Sequence, residues 1–172
     1  MSGGGQASGG TSVDSAPRWL DAQEQRAWRA ILRANHLMRV SMDGALHEHG
    51  VSLGEYELLS MVSEAPGGRL RMASLAELVV QSRSRVSHTA TRLERRGWVR
   101  REPAAEDGRG VLLVLTSAGR EAVERLAPVH VESVRAALLD HLTREELLDL
   151  GETMRRVVLV NRTGEEQAGD AV

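Results

Sequence analysis

Apolar side chains recur every three or four residues over long parts of the chain, which is the spacing of an amphipathic helix. From Trp19 to about His49 this pattern predicts a long first helix. Gly50 is expected to end it, because glycine readily takes the left-handed conformation found after helices. Two further stripes, over residues 117–142 and 144–158, predict two more helices. Long helices therefore lie near both ends of the chain.

Shorter elements fill the middle of the chain, and capping boxes mark where several helices begin. In such a box a Ser or Thr side chain caps the amide three residues on, and a Glu there caps the first amide in return. Three pairs have this spacing: Ser52 and Glu55, Ser74 and Glu77, Thr143 and Glu146. They predict helices after Ser52, Ser74 and Thr143.

Strand-like runs accompany these short helices. Residues 69–72 predict a short strand, and residues 98–103 and 111–116 predict two longer ones. Asp107-Gly108 between the longer runs is a strong turn signal, so they should form a β-hairpin. The order of elements predicts a mainly α protein with a small β-wing, in which a helix-turn-helix precedes the wing.

Residues 84–96 should form the second helix of that helix-turn-helix. Val86, Ala90 and Leu93 share one narrow apolar stripe at helical spacing, and Gly97 follows as a stop. The opposite face carries short hydroxyls, one imidazole and arginines: Ser84, Ser87, His88, Thr91, Arg85, Arg92 and Arg95. A helix face that is merely solvated usually interleaves Glu with Arg, whereas this face has no acid. The pattern favours an anionic partner, and short side chains beside Arg suit the major groove of DNA.

Charge strengthens this interpretation only moderately. Residues 82–101 hold seven of the chain's 22 basic residues and one of its 24 acidic residues, although the whole chain has a net charge of −2. All basic residues are Arg, which indicates codon bias, so Arg usage alone does not indicate nucleic acid. At the hairpin tip, Arg109 beside Asp107 suits a wing that reaches the minor groove, although an ordinary turn with a local ion pair explains them too. Of Arg100 and Arg101, one is expected to touch phosphate and the other to be solvated.

Composition also excludes several functions. The chain has no Cys, which excludes disulfides, thiolate metal sites and thiol redox sensing. We see no signal peptide, apolar membrane span, metal box or phosphate loop, so we expect a cytoplasmic protein without cofactor or metal. An enzyme is disfavoured, because Ser84 and His88 have no orienting carboxylate. The alternative is a protein-interaction module whose basic helix binds an acidic partner.

The sequence resembles the MarR family of winged-helix regulators. The resemblance rests on "SLGEYELL", "SLAELVVQSRSRVSHTATRLERRGWVRRE", "EDGRG" and "VLTSAGRE", in the family's order and spacing. It implies a homodimeric repressor of a palindromic operator that a small anionic or phenolic ligand releases. The family's DNA contacts carry over to Arg83, Ser84, Arg85, Ser87, His88, Thr91, Arg92 and Arg95, and its wing pair to Asp107 and Arg109.

The resemblance also sets the expected domain organisation. Residues 18–160 should form one domain, with a DNA-binding lobe over 52–116 between dimerisation helices over 18–50 and 117–160. The Gly/Ser-rich residues 1–17 and the polar residues 161–172 are expected to be disordered.

The effector is harder to predict than the fold. Trp28 resembles a residue of the family's urate-responsive branch, but the acid which that branch also needs has no clear counterpart here. Trp28 therefore packs in the core or the dimer interface, or lines a ligand pocket together with His36 and Tyr56.

Overall fold

The computed structural model describes residues 17–79, 82–104 and 110–169, with side chains as far as Asn161. Residues 1–16 of the predicted N-terminal tail lie outside this part of the chain. The fold divides into two compact units, one ending at Ala34 and the other starting at Asn35. The first unit contributes the beginning of the first helix, and the second contains the helix-turn-helix and the wing.

Helices dominate, as the sequence predicts, and a small sheet forms the wing. The described residues hold six α-helices and three strands, in this order: α1 Ala22–His47, α2 Leu53–Glu64, β1 Arg69–Arg71, α3 Met72–Leu78, α4 Arg83–Arg95, β2 Val99–Pro103, β3 Val111–Leu115, α5 Ser117–Ala137 and α6 Arg144–Gly169. Short 3-10 turns, Pro66–Gly68 and Leu139–His141, connect α2 to β1 and α5 to α6. The expectation of a mainly α fold with a small β-wing is confirmed.

Two of the three predicted capping boxes are present. Ser52 and Glu55 cap each other at the start of α2, and Thr143 and Glu146 do so at the start of α6. The box predicted at Ser74 is wrong, because α3 begins two residues earlier, at Met72, without any side-chain cap. Its first turn continues directly from β1, so the strand decides where this helix begins.

The sheet has the order β1-β3-β2, and both pairings are antiparallel. Val99 lies opposite Leu115 and Pro103 opposite Val111, which confirms the predicted hairpin. Gly119, at the start of α5, lies against the carbonyl of Trp98, and a β-carbon there would collide with it. Glycine at this position therefore lets α5 pack directly against the base of the wing.

Two groups of buried aliphatic side chains hold the second unit together. The larger joins α2, α3, α4 and the sheet: Leu58, Leu59, Val62, Leu75, Val86, Ala90, Leu93 and Leu113 are all among its members. The smaller joins the end of α1 to α2 and α5 through Leu46, Tyr56 and Leu126. The partly buried Trp98 packs against both groups. An aliphatic core follows from a composition with no Phe.

Near the C-terminus the structure departs from the sequence-based expectation. The polar tail was predicted to start at residue 161, but α6 continues to Gly169. Glu, Gln and Ala have high helix propensities, and a polar helix can extend from one already begun without a new nucleation step. Residues 170–172 lie outside the described part of the chain.

Candidate DNA interface

Helix α4 presents one face to the core and the other to solvent. Ser82 caps its first turn by accepting a hydrogen bond from the amide of Arg85, and Gly97 follows its end with a φ of 72°. Val86, Ala90 and Leu93 are completely buried, as the periodicity predicts. Because buried contacts fix the helix along this stripe, the opposite face points outward.

The predicted contact residues on α4 lie on this outward side. Seven of them are exposed: Arg83, Ser84, Arg85, Ser87, His88, Arg92 and Arg95. Thr91 is half-buried, and its hydroxyl donates to the Ser87 carbonyl at 2.9 Å. Among the described residues, Arg83, Arg85 and Arg95 form no ion pair.

Strand β2 is tied to α4 by Arg101. Its guanidinium forms an ion pair with Glu94 and donates to the Ser87 carbonyl at 3.0 Å and the Thr91 hydroxyl at 3.1 Å. It therefore turns inward, whereas Arg100 is exposed and pairs with Glu102 at 2.7 Å. Arg101 is therefore not the solvated member of the pair but braces the wing against α4, and the expected phosphate contact of one of the two arginines stays a prediction.

A buried carboxylate lies beneath the C-terminal half of α4. Glu55 is only 4% exposed, and its Oε1 lies 3.3 Å from Nε of Arg92 and 3.7 Å from Nε of Arg96. Its Oε2 accepts 2.9 Å hydrogen bonds from both the amide and the hydroxyl of Ser52. Burial alone would raise the pKa of Glu55, but the bonds from Ser52 and the two guanidiniums outweigh burial and lower the pKa.

Arg96, one turn after Arg92, reaches back to the loop before α2. It donates to the Gly50 carbonyl at 2.6 Å, and its guanidinium lies 4.9 Å from the centre of the Trp98 ring. Arg96 therefore ties the end of α4 to the loop before α2, which leaves Arg92 as the more exposed partner of Glu55.

Asp107 and Arg109, the predicted wing contacts, lie in residues 105–109, outside the described part of the chain. Strand β2 ends before that segment and β3 begins after it. The contribution of Asp107 and Arg109 to DNA binding stays a prediction.

Within the second unit, His36 and Tyr56, two residues of the predicted ligand pocket, do not share one environment. His36 lines a groove of about 410 Å³ in the second unit, together with Arg39, Asp43, Ser52, Arg85 and Arg92 among others. Tyr56 is 5% exposed and packs in the core, with its ring 4.5 Å from that of His130. The structure therefore does not bring Tyr56 into the groove. Trp28 is half-exposed on α1.

Sequence reasoning missed Glu55 and Arg101 as parts of this interface. The sequence pattern identifies Glu55 as a helix cap, but nothing in its local spacing shows that Arg92 and Arg96 lie against it. For Arg101, the strand alternation with Arg100 gave two faces but not which face meets α4. Both contacts depend on tertiary packing.

Neither a metal site nor a membrane span emerges in the described ranges. There, no three His, Asp or Glu side chains come together as metal ligands. Nor does any described helix combine the length and apolarity needed to cross a bilayer.

Comparison with known proteins identifies the family. Residues 49–110 match the model of the MarR family. The repressor Mb2911 of Mycobacterium bovis is 30% identical over 113 residues, which are 66% of this chain and 79% of that protein.

Solved structures agree with this match. AbsC, a MarR family regulator from Streptomyces coelicolor, is 39% identical with a TM-score of 0.81, covering 86% of this chain and 99% of its own. Sco3205 from the same organism, solved in complex with DNA, is 43% identical with a TM-score of 0.79. The match covers 84% of this chain and 91% of Sco3205. These relatives are transcriptional regulators, which confirms the expectation that the chain is not an enzyme. The chain belongs to the MarR family of winged helix-turn-helix transcriptional regulators.

Proposed function

We propose that the protein is a homodimeric repressor that binds a palindromic operator through α4 and is released by a small anionic or phenolic ligand. The observation that carries this proposal is the acid-free outer face of α4. In a free helix its like charges repel one another, which costs a few tenths of a kcal/mol per close pair. A DNA partner converts that repulsion into attraction.

The side chains on this face suit base recognition as well as phosphate contact. Arg can bond guanine O6 and N7 together, and a hydroxyl can bond a base or a phosphate. Ser84 and Ser87 are short enough to let the helix approach the groove floor closely, while Arg95 reaches further. The proposal gains support from Sco3205, which was solved in complex with DNA, and from Mb2911, which is named a repressor.

Exposed apolar surface on the long helices supports a dimer. Half-exposed large side chains recur along α6: Leu148, Leu150, Met154, Val157 and Val158. On α1, Ile31, Leu37 and Val40 are each at least half-exposed. Fully burying an exposed side chain of this size contributes about 1.5–3 kcal/mol, and covering the exposed half of each gives about half of that, so a second copy that covers these helices still gains a large stabilisation in sum. A dimer also sets two α4 helices about 34–36 Å apart, one turn of DNA.

The groove at His36 suits an anionic effector. Its volume lies in the range of small-molecule sites, and its lining includes three arginines, Arg39, Arg85 and Arg92, and one acid, Asp43. Arg85 and Arg92 are also proposed DNA contacts. A ligand anion held there competes with DNA for the same two guanidiniums, which links effector binding to release. His36 belongs to this proposed site, and Trp28 and Tyr56 stay predictions from sequence.

Selection from random DNA tests the DNA-binding proposal. The full chain is incubated with a randomised duplex pool, and bound duplexes are amplified and sequenced over several rounds. We expect an inverted repeat whose half-site centres lie about 10–10.5 base pairs apart. Enrichment of no sequence would contradict the proposal and favour the alternative that the basic helix binds an acidic protein partner. Arg95→Ala, run in parallel, should lose the enrichment while keeping the helical circular dichroism spectrum.

A further inference from the structure

Arg92 differs from the other outward arginines of α4 because it rests on an acidic side chain. Within the described residues, Arg83, Arg85 and Arg95 have no ion-pair partner, whereas Nε of Arg92 lies 3.3 Å from Oε1 of Glu55. The Arg92 side chain is still 55% exposed, and Glu55 is almost completely buried. The contact therefore joins a fixed carboxylate to a guanidinium that reaches the surface.

The carboxylate is fixed from several sides. Its second oxygen accepts two hydrogen bonds from Ser52, and Arg96 approaches the first oxygen from the C-terminal end of α4. Ser52 itself is held because the next amide, that of Leu53, donates to Asp43 of α1 at 2.7 Å. A rotation of Glu55 would break the capping box, so its Oε1 has one defined position.

The nitrogen that Glu55 engages determines what Arg92 offers outward. Nε is the Arg92 nitrogen nearest to Glu55, in an ion pair at 3.3 Å, and the two terminal nitrogens form no hydrogen bond within the described residues. These two nitrogens form the edge that bonds guanine O6 and N7 as a pair. An unrestrained Arg would lose considerable rotamer freedom on reaching that geometry, and here docking on Glu55 restricts the side chain before DNA arrives.

We propose that Glu55 is a positioning residue for DNA recognition, which holds Arg92 so that its terminal nitrogens face a base instead of following the nearest phosphate. This inference rests on the proposed DNA contact of Arg92. Glu55 also removes one unit of positive charge from the interface, which weakens attraction to DNA of any sequence. Both effects raise discrimination between the operator and other DNA. The specific complex forms with an Arg92 side chain that is already ordered, and complexes with other sequences lose the attraction of one positive charge.

The experiment measures discrimination, not affinity alone. Fluorescence anisotropy gives the Kd for the duplex that wild-type protein enriches from random DNA and for a scrambled duplex of equal length and composition. In Glu55→Gln the amide can still cap Ser52 but carries no charge. The discrimination ratio is the Kd for the scrambled duplex divided by the Kd for the enriched duplex. We expect this ratio to fall about tenfold in Glu55→Gln, while the scrambled duplex binds equally well or slightly more tightly. General structural damage would instead weaken both.

Glu57→Gln is the matched control. It makes the same change of charge two residues along α2, where Glu57 pairs with Arg39 at 3.3 Å and not with α4. Its ratio should stay within about twofold of wild type. If Glu57→Gln lowers the ratio as much as Glu55→Gln does, net charge is responsible and the inference is overturned.

Two substitutions of the exposed Arg92 keep the test valid even if Glu55→Gln unfolds. Arg92→Lys keeps the charge, but a single ammonium cannot pair with Glu55 and at the same time offer two further donors in a plane. The discrimination ratio should therefore also fall about tenfold. Where Glu55→Gln folds, combining it with Arg92→Lys should cause little further loss, because both changes break one interaction. A wild-type ratio in Arg92→Lys overturns the inference.

Arg92→Gln separates this inference from the proposed function. If it leaves the Kd for the enriched duplex unchanged, Arg92 is not a DNA contact and that part of the proposed function fails. If Arg92→Gln weakens binding and folded Glu55→Gln keeps the wild-type ratio, the contact stands and only the positioning role of Glu55 is wrong.

Discussion

Replacing Arg101 with Met tests whether the wing is braced against α4. Methionine keeps the apolar length of the side chain but removes the ion pair with Glu94 and the hydrogen bonds to Ser87 and Thr91. Hydrogen bonds from a charged group are each worth about 1.5–3 kcal/mol when buried, and exposed ion pairs about 0–1 kcal/mol. Arg101 is 28% exposed and Glu94 37%, so solvent screens much of the electrostatic stabilisation from these contacts. We expect the free energy of unfolding to fall by about 1–3 kcal/mol in total.

Arg100→Met is the matched control on the same strand. Arg100 is exposed, and its contact with Glu102 should contribute about 0.5 kcal/mol or less. Urea unfolding followed by circular dichroism gives the free energies, and anisotropy with the enriched duplex gives the affinity. Arg101→Met should also weaken specific binding by about 5- to 100-fold, the value of one bidentate contact that a shifted wing and helix would misalign.

The two measurements together can refute this reasoning. If affinity falls while the free energy of unfolding stays at the wild-type value, Arg101 acts on DNA directly and not as a brace. If neither quantity changes, the three contacts contribute nothing to stability or to the alignment of α4.

Three further predictions concern α4, the dimer and pH. Arg95→Ala should weaken operator binding by about 1–3 kcal/mol and flatten its salt dependence, measured by gel shift, while the melting curve stays unchanged; an unaltered affinity would remove Arg95 from the interface. Val157→Glu should shift the protein from dimer to monomer in sedimentation velocity, because it puts a charge on the exposed apolar side of α6, and a dimer of undiminished stability would place the interface elsewhere. Burial against Tyr56 lowers the pKa of His130 below 6.5, although Glu57 opposes the shift, so the unfolded chain takes up a proton first as pH falls. The free energy of unfolding of the wild type should therefore be at its full value above about pH 6.5 and decrease below it. Urea titrations at about pH 7.5 and 5.5 should show a smaller decrease for His130→Gln than for the wild type; equal decreases would contradict this role for His130.

Local signals predicted most of the fold. The stripe of Val86, Ala90 and Leu93 gave the orientation of α4, because a helix of known period has one way to bury three such residues. The hairpin followed from its turn signal. The predicted start of α3 at Ser74 is wrong, because β1 runs directly into the helix and sets its start at Met72, although Ser74 and Glu77 have the spacing of a capping box.

The interface was only partly predictable for a related reason. Exposure of six proposed contact residues followed from helical periodicity, and Arg83 came from the family resemblance, but the partners of Arg92 and Arg101 followed from neither. Those partners come from other elements, and sequence spacing carries no information on which arginine of a run meets a carboxylate from elsewhere. Tyr56 shows the same limit: the sequence put it in a ligand pocket with His36, and only packing shows that it enters the core and not the groove.

The placement of α4 on DNA is open to a direct chemical test, because the chain has no Cys. Ser84→Cys introduces a single thiol on the exposed face of α4, to which an iron chelate that cleaves nearby DNA can be attached. Glu124→Cys, exposed on α5, carries the same reagent as a control. We predict strand cleavage at two positions, one in each half of the enriched inverted repeat, from the Ser84 site and little from the Glu124 site. Cleavage that is equal from both sites, or spread evenly along the duplex, would contradict recognition of the operator by α4.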